Sequence, residues 1–198
     1  MKAEVMISSG KTIDIFNEDA ILSLTPIDII NGLEKIRYNG HRYYLAQGLQ
    51  YSVLDHSILI SDYLNGLSGD LQNAAKLALV HDFSEVLIPD IPSPIKAVMK
   101  FNGEATIEEW ENWVMRLWCQ KLFGFNPTEF HYNVVKELDQ QIVPAEMAVL
   151  FGILPENPHQ NTIALHSMLV ERMQISTMAR RERNQNIVNF LFKNIKNQ

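Results

Sequence analysis

Three side chains that can bind a metal ion or transfer a proton stand close together near the middle of the chain. His81 and Asp82 are adjacent, and Glu85 follows three residues later. They come directly after the largely apolar stretch 75–80, which has the composition of a buried helix. On a continuing helix His81 and Glu85 share a face, because residues four apart are neighbours there. Burying such groups is costly unless they are paired or bind a cation, so the pattern indicates a metal site.

Two more candidate ligands occur in similarly apolar helical segments. His56 follows the capping signal at 52–55, and Asp139 lies within the amphipathic run 127–153. Imidazole and carboxylate together suit a borderline-to-hard divalent cation that keeps positions open for water and phosphate oxygens. For any one of these residues alone, a satisfied core histidine or a surface aspartate is the better explanation. Together they predict one cation held from separate helices by His56, His81, Asp82 and Asp139.

The elements that must position these residues are almost all helical. Segments 4–8 and 11–15 alternate around a Ser-Gly pair and predict a β-hairpin over about 4–16. A capping signal, a proline or an apolar periodicity marks each of the later segments as a helix. We therefore predict an all-α bundle of six to eight helices with a small N-terminal hairpin. The helices are expected at 25–36, 52–64, 70–81, near 95, and at 104–123, 127–153, 158–180 and 184–195.

Composition favours one globular domain. The chain has 198 residues, 46% of them hydrophobic, and no repeat, linker or change of composition divides it. A helical core at about 25–153 would carry the metal site, and C-terminal helices would occupy about 158–195. Cys119 and the tryptophans at 110, 113 and 118 fall at helical spacing and predict core positions. The basic run at 180–183 predicts a solvated helix face.

Charge and cysteine content bear on partners and location. The net charge of -6 argues against binding to a nucleic-acid polymer, which normally requires an excess of lysine and arginine. The start lacks the apolar region of a signal peptide, and no stretch is long enough to cross a bilayer. The single cysteine fits a reducing compartment. We therefore expect a cytoplasmic protein without a membrane partner.

A longer motif surrounds the central pair. Residues 81–96 read HDFSEVLIPDIPSPIK. Together with His56 before them and Asp139 after them, they resemble the four-ligand signature of the HD-domain phosphohydrolase superfamily. The segment is similar to the H-D-x-x-E-x-x-x-x-D-x-P-[ST]-P-x-K pattern of the 5′-deoxynucleotidase branch found in bacteria and phages. N-terminal residues 10–17, 39–41 and 51–57 are similar to the same small hydrolases, so the resemblance spans roughly residues 10–150.

The resemblance implies a role for each matching position. The four ligand candidates would hold one divalent metal ion, with Mn, Co, Mg, Fe and Zn all open as its identity. Glu85 would align or activate the attacking water, and Asp90 would be the second catalytic acid. Substrate contacts would come from Arg37, Tyr38, Asp90, Ile91, Pro92, Ser93 and Lys96.

The implied reaction is removal of the 5′ phosphate from deoxynucleoside monophosphates, by a homodimer. Two alternatives remain open: a deoxynucleoside triphosphate triphosphohydrolase, and a catalytically silent nucleotide-binding protein on an HD scaffold. Pro89 stands where relatives usually have glycine, and Tyr38 replaces a tryptophan. Both departures concern base or sugar preference rather than hydrolysis.

Several of these side chains also allow a structural explanation. Glu85 can orient His81 from outside the ligand shell, and Asp90 can cap the short helix that follows it. Lys96 is equally consistent with a solvated helix residue. Glu146, seven residues after Asp139, either faces the site or makes a structural ion pair, and the sequence does not distinguish the two.

Overall fold

The computed structural model describes residues 3–35, 51–67, 71–89, 91, 93–96, 98–101, 105–153 and 155–195. Within these ranges the chain is mostly helical, with a small antiparallel sheet at its N-terminus. This confirms the mostly helical class and the N-terminal hairpin that the sequence predicts. No helix in the described ranges has the length and apolar character that crossing a membrane requires.

The N-terminal hairpin joins strands β1 (Glu4–Met6) and β2 (Thr12–Asp14), with Val5 opposite Ile13. Gly10 takes the positive φ of 82° that the turn requires, a conformation that glycine adopts without a steric penalty. A short helix α1 (Glu18–Leu22) follows, and the Asn17 side chain caps it by accepting from the Ala20 amide. Its five residues are too few to produce a readable periodicity, so it is not among the helices that the sequence predicts.

The remaining elements are helices, apart from one further hairpin. A 3₁₀ helix spans Phe83–Val86, and a pair of two-residue strands lies within residues 100–106. These strands are β3 (Lys100–Phe101) and β4 (Ala105–Thr106). The helices are α2 (Pro26–Lys35), α3 (Val53–Gly66), α4 (Gln72–Val80), α5 (Ser93–Lys96), α6 (Ile107–Phe123), α7 (Glu129–Phe151), α8 (Gln160–Gln174) and α9 (Thr177–Ile195).

Helix α3 lies at the centre of the bundle. It packs against α2, α4, α7, α8 and α9, and most of its side chains are buried. A reciprocal capping box begins it: the Ser52 hydroxyl accepts from the Asp55 amide, and the Asp55 carboxylate accepts from the Ser52 amide. This is the cap that the sequence predicts. Because α3 is enclosed, each polar side chain on it needs a partner or a ligand.

The predicted core positions are confirmed. Trp110, Trp118 and Cys119 are at most 3% exposed, and Trp113 packs against the core. Burial raises the pKa of the Cys119 thiol to about 12, so this side chain behaves as a small apolar group.

The sequence prediction for the C-terminal region was wrong in two respects. The break between the last helices lies at 175–176 rather than at 181–183, because the Ser176 hydroxyl accepts from the Ala179 amide and begins α9 there. Arg180 belongs to the predicted solvated face, yet it is only 3% exposed. Its neighbours fit the prediction better, since the half-exposed Arg181 and Arg183 pair with acidic side chains on α2 and α3.

Candidate metal centre

The four predicted metal ligands converge from three helices. The ligand atoms of His56, His81 and Asp82 all lie within 4.8 Å of one another. Asp139, on α7, places Oδ1 3.0 Å from Nε2 of His56. His56 lies in the first turns of α3, whereas His81 and Asp82 follow the last turn of α4. The fold therefore brings together residues that are widely separated in the sequence.

The end of α4 explains how two adjacent residues face the same point. Successive side chains on a continuing α-helix diverge by about 100°. Here α4 ends at Val80, His81 is its C-cap, and Asp82 leaves the helical region with φ −99° and ψ 10°. This turn brings Oδ2 of Asp82 to 3.2 Å from Nε2 of His81. The expectation that His81 and Glu85 share an α-helical face was wrong, because Glu85 lies in the 3₁₀ helix.

The hydrogen bonding of His81 fits a metal ligand. Its Nδ1 donates to the Ala78 carbonyl at 2.6 Å, and a carbonyl can only accept. In the neutral ring Nε2 then carries the lone pair, and it faces a carboxylate oxygen of Asp82. Nε2 is buried and has no hydrogen-bond partner within the described part of the chain. Two acceptor atoms 3.2 Å apart repel each other unless a proton or a metal ion lies between them, so this pair of atoms fits a metal site.

His56 is enclosed by two carboxylates. It is fully buried, with Nδ1 2.9 Å from Oε1 of Glu146 and Nε2 3.0 Å from Oδ1 of Asp139. Burial alone would lower the pKa of His56, but Glu146 and Asp139 outweigh it and hold the pKa well above its ordinary value. A proton on His56 thus supplies the positive charge that these acids require. A divalent cation at Nε2 would take over that function and release the proton.

The two acids beside His56 are shifted in opposite directions. Burial raises the pKa of Glu146, and the contacts with His56 and Tyr51 offset only part of this effect. For Asp139, burial also acts to raise the pKa. However, the hydrogen bond and charge of His56, with the charges of His81 and Lys96, bring the pKa below its ordinary value. Asp139 is therefore favoured as an anion, which is the form that binds a metal.

The structure shows where Glu146 lies, which the sequence left open. Its Oε1 accepts both from His56 and from the hydroxyl of Tyr51, at 2.8 Å, and the side chain is fully buried. It therefore faces the site from behind His56. The sequence predicted no role for Tyr51, although residues 51–57 are part of the resemblance. The only available signal for Glu146 was its spacing of two helical turns from Asp139 on α7.

A cleft of about 600 Å³ opens beside the four converging residues. It lies between the end of α4, α5, α6 and α7, and its size is typical of small-molecule sites. His81, Asp82 and Asp139 are among the described residues that line it. Two lysines also line it, and each is paired with a glutamate of α6: Lys96 with Glu111 at 2.8 Å, and Lys136 with Glu108 at 2.9 Å.

The other predicted site residues differ in how far the structure describes them. Glu85 is 4% exposed, in a 3₁₀ helix that packs on α2 and α6, and it is not among the described residues that line the cleft. Ile91 is half-buried, and Lys96 lines the cleft. The remaining predictions lie outside the described residues: Arg37, Tyr38, Asp90 and Pro92, together with the side chain of Ser93.

No protein-family model matches this chain, and no curated protein matches it at a significant level. The resemblance to HD-domain proteins therefore remains a prediction from the residues quoted above.

Proposed function

We propose that this protein is a metal-dependent phosphohydrolase of the HD-domain type, which removes the 5′ phosphate from deoxynucleoside monophosphates. The observation that carries the proposal is the convergence of two histidines and two aspartates beside a cleft of small-molecule size. These four residues occur in the chain in the order that the HD signature requires. We further propose that the enzyme is a cytoplasmic homodimer without a nucleic-acid polymer as partner.

Hydrolysis of a phosphomonoester requires a nucleophilic water and compensation of the charge on the phosphoryl oxygens. A divalent cation, when bound, lowers the pKa of water and offsets that charge. His56, His81, Asp82 and Asp139 would hold this cation. Lys96 would add a fixed positive charge beside the phosphate, since its charge already contributes to lowering the pKa of Asp139.

Two acids that are not metal ligands would carry out the proton transfers. Glu85, three residues after Asp82, would align the attacking water or accept its proton, and Asp90 would give a proton to the leaving 5′ oxygen. Neither is needed as a metal ligand in this scheme. The cleft between α6 and α7 would hold the nucleoside, with the half-buried Tyr132 and Met115 as apolar surface.

One observation favours the triphosphohydrolase alternative. Lys136 lines the same cleft and lies three residues before Asp139, about one helical turn away. Its ion pair with Glu108 is more than half exposed, so it exchanges easily for a phosphate oxygen. A second cation in this position suits a substrate with more than one phosphate.

The test is turnover by the full-length protein with Mn²⁺ or Co²⁺, on dAMP and on dATP, with phosphate and triphosphate resolved as products. We expect phosphate from dAMP. Release of triphosphate from dATP, without release of phosphate from dAMP, would favour the triphosphohydrolase. Turnover of neither nucleotide would refute both hydrolases, and absence of a stoichiometric divalent ion after reconstitution would favour the silent scaffold.

Substitution of Glu85 and of Asp90 tests the catalytic role of each acid. Glu85→Ala and Asp90→Ala are expected to retain the metal and lose most turnover. Glu137→Gln is the control, because it removes an exposed acid of α7 that contacts Gln141. Wild-type turnover in the Glu85 or Asp90 variant would refute the role of that acid.

A further inference from the structure

A buried chain of three side chains leads from the core to the candidate metal centre. The hydroxyl of Tyr51 donates to Oε1 of Glu146 at 2.8 Å, and Nδ1 of His56 lies 2.9 Å from the same oxygen. All three side chains are at most 2% exposed. The opposite nitrogen of His56, Nε2, faces Asp139. His56 therefore lies between Glu146 on one side and the converging ligand atoms on the other.

The donors and acceptors of this chain fix the state of the imidazole. Tyr51 donates to Oε1 of Glu146, so this oxygen acts as an acceptor. It is an acceptor whether the carboxyl group is ionised or carries a proton on Oε2. In both of these states Nδ1 of His56 donates to it. In the neutral ring the lone pair is then on Nε2, the nitrogen that faces Asp139.

We propose that Glu146 is a positioning residue of the metal centre, which together with Tyr51 fixes the orientation and tautomer of His56. This inference rests on the proposed function, in that His56 is taken as a metal ligand. A carboxylate behind a ligating histidine holds the ring in place and increases the basicity of the ligating nitrogen. Glu146 would act on the metal only through His56.

The course of α7 supports a role at the site over a purely structural ion pair. Asp139 and Glu146 are seven residues apart on α7, which is close to two turns, so they lie on one face of this helix. That face contacts both nitrogens of His56, with a candidate ligand at Nε2 and Glu146 at Nδ1. Helix α7 thus positions one candidate ligand, Asp139, and orients another, His56, through Glu146.

The test measures metal affinity rather than turnover. Metal-free full-length protein is titrated with Co²⁺ against a competing chelator, and the visible spectrum of the bound ion is recorded. Glu146→Met removes the acceptor, and we expect roughly 10- to 100-fold weaker binding and a shifted Co²⁺ band. Tyr51→Phe frees one acceptor position and is expected to weaken binding several-fold. Glu146→Gln keeps an acceptor oxygen for both donors and should remain nearest to wild type.

Asp28→Asn is the matched control, because Asp28 is also a fully buried acid and forms hydrogen bonds with Lys11 and Thr25 rather than with a candidate ligand. It should lower the stability of the metal-free protein without changing Co²⁺ affinity. If Glu146→Met does not fold, the Co²⁺ affinity of Tyr51→Phe tests the positioning role instead. Wild-type affinity and an unchanged spectrum in the folded variants would overturn the positioning role alone. Failure of the wild-type protein to bind Co²⁺ would overturn this inference together with the proposed function.

Discussion

The guanidinium group of Arg172 donates two hydrogen bonds to Oδ1 of Asp55, from Nε at 3.1 Å and from Nη2 at 3.0 Å. Asn184 donates to the same oxygen at 3.1 Å, and all three side chains are buried. The other oxygen of Asp55, Oδ2, accepts from Ser52 in the capping box of α3, and Asp55 directly precedes His56. Helices α8 and α9 are thereby tied to the first turn of the helix that carries a candidate ligand.

Loss of Arg172 is expected to destabilise the protein strongly. Arg172→Met leaves the buried carboxylate of Asp55 without its cation, which costs about 3–5 kcal/mol when one partner of a buried pair is removed. The measurement is urea denaturation of the metal-free protein. Lys136→Met is the control, because its pair with Glu108 is more than half exposed and contributes less than about 1 kcal/mol. Equal losses for the two variants would show that the Asp55 network does not stabilise the bundle.

Removal of a candidate ligand is expected to abolish stoichiometric metal binding. In His81→Ala the ring that faces Asp82 is lost, and in Asp139→Ala the carboxylate beside His56 is lost. Both variants should bind Co²⁺ more weakly than the Glu146 variants do, because they remove ligands rather than a residue that orients one. Metal content after dialysis against a low concentration of chelator measures this. His159→Ala, at the exposed start of α8, should retain the metal.

Stability is expected to depend on pH through Asp28. Burial acts to raise the pKa of this carboxyl, but hydrogen bonds from Lys11, Ser9 and Thr25 outweigh it and hold the pKa well below its usual range. The pKa of Asp28 in the folded protein lies below its value of about 3.9 in the unfolded chain. The stability that the ionised carboxylate contributes is therefore fully present above about pH 4. It is lost as the pH falls from there through the folded pKa.

Lys11→Met tests this, because it removes the cation 2.8 Å from Asp28. The difference in unfolding free energy between wild type and Lys11→Met should be constant from pH 7 to about 5 and shrink below about pH 4. In an Asp28→Asn background the effect of Lys11→Met should not change with pH. A difference that grows on acidification would contradict the assignment.

The sequence predicted those features that periodicity and local motifs determine. The cap at 52–55, the core tryptophans and the convergence of His56, His81 and Asp82 all follow from spacing and apolar context. It did not predict features that arise from tertiary packing. The end of α4 was expected at 81 and lies at Val80, but residues 81–86 contain no glycine or proline, and nothing local predicts the 3₁₀ helix at Phe83–Val86. Likewise, the burial of Arg180 follows from its packing beside Met173 and Thr177 rather than from the charge pattern of its own segment.

Close packing between α2 and the 3₁₀ helix makes the position of Glu85 sensitive to Gly32. A Cβ at Gly32 would lie 3.0 Å from both methyl carbons of the buried Val86. Overpacking of this kind costs about 1–3 kcal/mol, whereas alanine gains at most about 1 kcal/mol over glycine inside a helix. Gly32→Ala is therefore expected to lower stability. It should also lower turnover without loss of metal, since Val86 is next to Glu85.

A double-mutant cycle checks this expectation. Addition of Val86→Ala to Gly32→Ala removes the two methyl groups that clash, so the double variant should be more stable than the sum of the two single effects indicates. Gly66→Ala is the control, because a Cβ there meets nothing within 4 Å. It should leave stability unchanged or raise it by up to about 1 kcal/mol. If Gly32→Ala is as stable as wild type and the cycle shows no coupling, the 3₁₀ helix yields to the new methyl group, and Gly32 does not constrain the position of Glu85.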